Sequence, residues 1–180
     1  MKTLVLSSMF FCSLINLSAQ EDIKSNGLYY KISVAATLTN NEEYTIGNNE
    51  GHTFIEVNGL FINNSLGYQF DSRSSIDLNI EYDHYLRQGF NFLPLHLGFN
   101  YNILDFDDVL FIRGGYGKLI KAGKNFEEGT MYKVGVGYRT FDSNFRNSWL
   151  IGLDFNRKRF GHKQEEKLSS VSVFLEFMVF

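Results

Sequence analysis

Carboxylates and amines are the side chains best equipped for chemistry in this 180-residue chain. Asp77, Glu81, Asp83, Asp154 and Glu176 are interleaved with Lys133, Arg139 and Lys158. Acids and bases in one sheltered space can relay protons or pass an ion. They can equally neutralise one another as a packed polar interior. A Ser–His–acid triad can be assembled on paper from any of the four histidines, but with 20 acidic residues such a combination is a coincidence. His96, between Leu95 and Leu97, has no second ligand at metal spacing, which points to a hydrogen-bonded histidine rather than a zinc site. Asn48, Asn49, Glu50 and Gly51 supply only part of a calcium loop, without its regular ligand spacing. No catalytic residue, metal site or cofactor is expected.

The elements that must position these charges read as strands. In IDLNIEYDHY, Ile76, Leu78, Ile80 and Tyr82 alternate with Asp77, Asn79, Glu81 and Asp83; in FLPLHLGFNYNI, Leu93, Leu95, Leu97, Phe99, Tyr101 and Ile103 alternate with polar or small residues. Six further segments alternate in the same way: 27–38, 56–70, 109–119, 130–141, 148–160 and 168–180. Several exceed ten residues, where strands of soluble proteins cluster near 5–6 and a tilted strand crossing a bilayer needs about 9–11. Lys31 and all eight acids and bases named above fall on the polar face of their strands. Arg113 is expected there too, although Gly114 and Gly115 leave the phase of its strand ambiguous. The last strand, VSVFLEFMVF, carries Val171, Val173, Leu175, Phe177 and Val179 on one wholly apolar face.

The connections alternate in length. DSRSS, DFDD and DSNFRN are short and open with Asp, a turn former; residues 39–52, 120–129 and 161–167 are longer and polar, and 87–91 falls on their side. With 18 Phe and 10 Tyr but one Pro, the composition favours strands. The first twenty residues, with Lys2 before an apolar run from Leu4 to Leu17 and then Ser18 and Ala19, are expected to be a secretory signal peptide cut after Ala19 or Gln20. Phe11 before Cys12 is too large for lipoprotein processing. Removing residues 1–20 leaves 16 basic residues against 20 acidic ones and no cysteine, so no disulfide and no basic patch for nucleic acid is expected. The remainder, 21–180, is expected to be one all-β domain: an eight-stranded antiparallel up-and-down transmembrane β-barrel, short turns on one rim and longer loops on the other. Trp149, Tyr101, Tyr116, Tyr132 and Tyr138 are candidates for the aromatic girdles at its interfaces.

On the signal peptide, the eight strands, the stretches SLGYQF, HLGFNYNI and KVGVGYRTF, and terminal Phe180, the chain resembles the small outer-membrane barrels of the OmpA/OmpX-like superfamily. That resemblance implies outer-membrane localisation, outer-membrane lipid as surroundings, a monomer, and recognition of Phe180 by the barrel-assembly machinery. Here the apolar row is offset by one residue from that aromatic, whose own register holds Glu176. Some barrels of this kind modify lipid A, the deacylases with a histidine two residues before a serine. Phe54, Leu86, Gly98 and Gln164 occupy the corresponding positions after the four histidines, so the motif is absent. A role in envelope integrity or in surface contact with an unidentified partner is therefore expected. The alternatives are a narrow channel for small solutes and, behind it, a lipid A-modifying enzyme. An eight-stranded interior is just wide enough for side chains to fill, which favours packing over conduction.

Overall fold

The computed structural model describes residues 26–40, 55–105, 108–142 and 147–180. The expected signal peptide and most of the first long loop, with Asn48 to Gly51, lie outside them.

Nine strands run in sequence: β1 (Gly27–Asn40), β2 (Ile55–Gln69), β3 (Ser74–Tyr85), β4 (Asn91–Phe92), β5 (Pro94–Asp105), β6 (Val109–Leu119), β7 (Gly129–Phe141), β8 (Asn147–Phe160) and β9 (Glu166–Val179). β4 and β5 are one stave. Both pair with β3 in a single register, Asp83 opposite Phe92 and Ile80 opposite Leu95. The break falls at Leu93, just before Pro94, which has no N–H to give the ladder. Every strand-to-strand ladder is antiparallel between neighbouring staves, and β1 closes the sheet on β9 from Tyr30–Val179 to Leu38–Val171. The result is a closed eight-stave barrel with no free edge, the arrangement hydrocarbon demands of strands.

Alternation dictates the two faces. Outward stand Leu78, Leu97, Ile112, Val136, Leu153 and Leu175, all exposed, while the polar members of the same strands are buried. An apolar exterior around a buried polar interior inverts a soluble protein and suits a barrel bathed in lipid. All five girdle candidates point outward, Trp149 packing against Phe177 with tilted rings whose centroids are 4.8 Å apart. Asn64 also faces outward, and its side-chain oxygen accepts from the Tyr30 hydroxyl at 2.5 Å. Among the described residues no helix is long and apolar enough to cross a membrane, and the crossing is made by strands.

The Asp-led turn after β2 is built as its composition suggests. Asp71 Oδ1 accepts from the backbone N–H of Arg73 at 2.8 Å and of Ser74 at 2.6 Å. These two donors hold its carboxyl below the usual carboxylate range.

Candidate functional site

The inward face of β6 is unbroken. Val109, Phe111, Arg113, Gly115, Gly117 and Leu119 alternate without a bulge, so Arg113 enters the lumen and the ambiguity at Gly114 and Gly115 is resolved. There it is the hub. Its Nε and Nη2 donate to the two oxygens of Asp154 at 2.8 and 2.6 Å, its Nη1 donates to Glu176 at 2.6 Å, and its guanidinium lies 3.6 Å from the centroid of the Phe174 ring. Lys31 bridges Asp77 (2.8 Å) and Glu176 (3.8 Å); Lys133 bridges Glu81 (2.5 Å) and Asp154 (3.9 Å). Three cations and four carboxylates thus form one continuous chain, Asp77–Lys31–Glu176–Arg113–Asp154–Lys133–Glu81.

Asparagines complete the surroundings of Asp77, with Asn79 donating at 2.5 Å and Asn100 at 2.8 Å. Glycines make the room: Gly98 stands opposite Asp77 in the ladder and Gly135 opposite Asp154, where a Cβ would run into the carboxylate.

Three of the expected residues stand outside this chain of ion pairs. Lys158, fully buried, pairs with Asp83 at 2.8 Å and donates to the Tyr85 hydroxyl at 3.1 Å. Its ammonium lies 4.7, 5.1 and 5.5 Å from the ring centroids of Phe61, Tyr85 and Phe92, an aromatic cage for a cation. Arg139 lies toward the other end, donating to Ser148 at 2.9 Å with Phe141 and Phe180 beside its guanidinium. The structure therefore brings Asp77, Glu81, Lys133, Asp154 and Glu176 together, adds Lys31 and Arg113, and places Asp83–Lys158 and Arg139 toward opposite ends.

Alternation had marked the charges; it did not reveal what closes the lumen above and below them. Toward the long-loop rim Phe61, Tyr85, Phe92, Leu119, Met131 and Phe160 form a buried cluster, with Phe90 against it. Its rings meet edge to face, Tyr85–Phe92 at 5.7 Å and Phe92–Phe160 at 5.0 Å. Toward the short-turn rim Tyr29, Val109, Phe111, Leu150, Phe174 and Met178 form a second cluster, with Phe141 and Phe180 packed on it. Phe180 meets the Tyr29 ring at 5.7 Å and so faces inward, in the register of Glu176 rather than of the lipid-facing row. The interior is thus three layers: aromatic, ionic, aromatic. The signal for the outer two was present in the inward parity of Tyr29, Phe61, Phe111, Phe160 and Phe174.

His96 departs from expectation. It is buried, but its Nδ1 has no hydrogen-bond partner among the described residues. It borders a cavity of about 20 Å³ shared with Lys31, Asp77, Asn79, Arg113 and Lys133, a space for about one water molecule. No three His, Cys, Asp or Glu side chains among the described residues converge on a common metal position.

Closed staves, an apolar exterior and a filled interior define a small transmembrane β-barrel. Among solved structures the chain is similar to the crystal structure of Neisserial surface protein A, with a TM-score of 0.59 at 11% identity over 84% of this chain and 96% of that one. It is also similar to a de novo designed transmembrane β-barrel, with a TM-score of 0.44 at 11% identity over 86% of this chain and 96% of the design. No protein-family model matches the sequence, and no curated protein matches it.

Proposed function

We propose that this protein is a monomeric, non-catalytic barrel of the outer membrane that supports envelope integrity or makes surface contacts through its long-loop rim. The observation that carries the reading is the filled lumen. A solute path would have to pass two layers of interlocked rings with a paired ionic chain between them. Each carboxylate of that chain is held by a cation, so none of the four is free to act as the base of acyl-transfer chemistry. What remains accessible is the lipid-facing wall and the rims. The word "surface" in the name of Neisserial surface protein A agrees with such a location, which this reading carries over to the present chain. Export through a cleaved signal at residues 1–20, and delivery of β9 with Phe180 to the barrel-assembly machinery, belong to the same proposal.

Fractionation tests it. The protein should sit in the outer membrane and migrate differently on a gel before and after boiling, and a soluble periplasmic product would overturn the reading. Planar bilayers should show no stepwise conductance, and expression should leave the mass of lipid A unchanged. Conductance steps would favour the small-solute channel; a lipid A mass shift would favour the enzyme.

A further inference from the structure

The cations of the strands are unevenly placed. In β1 to β5 the only Lys or Arg is Lys31, which points inward. Four strand cations point outward, Lys118, Arg157, Arg159 and Lys167, all on β6, β8 and β9 near the long-loop rim.

Register joins them. Lys118 pairs with Thr130, Thr130 with Arg159 and Arg159 with Lys167, one outward row across four adjacent strands. Three inter-strand gaps make that row roughly 14 Å wide. The next outward row is Tyr116, Tyr132, Arg157 and Ser169, and the one beneath is Gly114, Val134, Phe155 and Val171. Going down the wall, the surface changes from cationic to amphipathic to apolar within three rows. That gradient is the complement of an amphiphile standing beside the barrel, its anionic headgroup at the rim and its acyl chains in the band. None of the four cations forms an ion pair with a described acid, although Glu165 and Glu166 lie in the same hairpin, and Arg157 Nε is buried without a partner.

We propose that this wall of β6–β9 binds a phosphate-bearing lipid of the leaflet at the long-loop rim, with Lys118, Arg157, Arg159 and Lys167 on the headgroup and Tyr116, Val134, Phe155 and Val171 along the acyl chains. Guanidinium forks at Arg157 and Arg159 suit phosphate oxygens, and the apolar rows separate such a lipid from a free anion. The inference rests on the outer-membrane placement proposed above.

The test uses the full barrel purified in a neutral detergent and native mass spectrometry. The probe is lipid A with its phosphates, compared with the same lipid after enzymatic dephosphorylation. Phosphorylated lipid should bind at least about tenfold better, and K118Q/R157Q/R159Q/K167Q should abolish that preference. K118R/R157K/R159K/K167R should retain it, and K121Q/K124Q, which changes only loop lysines, should leave it intact. Heat-modifiability of each variant shows that the barrel has formed. Equal binding of both lipids, or an undiminished preference in the glutamine variant, overturns the inference. Displacement of the lipid by millimolar inorganic phosphate would assign the site to a free anion and overturn it too. If the protein fails to fractionate with the outer membrane, the earlier reading falls; if it does so without the phosphate preference, only this one does.

Discussion

Arg113 on β6 and Glu176 on β9 meet across the lumen at 2.6 Å although 63 residues separate them in sequence. Neither charge has bulk water to retreat to, and the worth of the pair lies in what is left behind when one member goes. Arg113→Leu strands Asp154 and Glu176 without their main partner. Losing one side of a buried pair costs about 3–5 kcal/mol, whereas replacing both by apolar groups of similar volume is often neutral or better. Urea titration of refolded barrels should therefore find R113L more damaging than R113L/D154L/E176L. The reverse order would mean that the network stabilises the fold outright.

Leu97 is exposed on the lipid wall. A cation near mid-depth there costs about 2–4 kcal/mol, falling to about 0–1 near an interface. Leu97→Arg should therefore lower folding into lipid much more than Ser169→Arg, whose position pairs with Arg157 near the rim. His96→Arg, a mild change on sequence grounds alone, should also be severe. His96 is buried beside Lys133 and Arg113, with Gly115 and Gly117 packed against it.

Tyr29 and Gly67 form a joint: the Tyr29 ring lies where a side chain at Gly67 would stand. Gly67→Val should destabilise the barrel by about 1–3 kcal/mol through overpacking. In the background of Tyr29→Ala the same substitution should cost far less, because the ring is gone. Additive losses in a double-mutant cycle would show that the two sites do not share this space.

Phe180 sits against Tyr29 inside the short-turn rim. Its burial contributes at most about 1.5–3 kcal/mol, so deletion should lower stability in detergent modestly. A much larger fall of the heat-modifiable band in cells would then reflect recognition by the assembly machinery. Val179→Asp should be tolerated better than Leu175→Asp, since Val179 ends β9 near the rim and Leu175 lies deeper in the apolar row. Equal losses in detergent and in cells for the Phe180 deletion would leave packing as the residue's whole role.

Strand parity carried most of the fold in the sequence. Ile76 to Asp83 alternate so strictly that both the lipid face and the acidic face of β3 could be named from the letters. Where the pattern lacked side chains it gave less: Gly114 and Gly115 leave the phase of β6 ambiguous, so Arg113 is expected inward but its place as the hub is not visible. Parity turns Phe61, Phe111, Phe160 and Phe174 inward, but it does not say which inward rings meet. Only the pairing of Phe61, Tyr85, Phe92 and Phe160 from four separate staves shows that they meet. The partnerless Nδ1 of His96 depends on a void a few ångströms across, which no spacing rule predicts.

The three acids of β3 take their cations from three other staves. Asp77 is matched by Lys31 of β1, Glu81 by Lys133 of β7 and Asp83 by Lys158 of β8. In a sheet containing only β1 to β5 these three carboxylates would face a single ammonium, and the two missing partners follow 52 and 75 residues later in the chain. Such long separations place charge balance at the end of assembly rather than along it. A half-built wall is electrically incomplete: β6 brings Arg113 inward, β7 Lys133 and Arg139, β8 Lys158 together with Asp154, and β9 Glu176. A chain that lacks β9 leaves Arg113 and Lys31 without Glu176, so the ionic chain of the lumen is complete only once β9 has docked on β1.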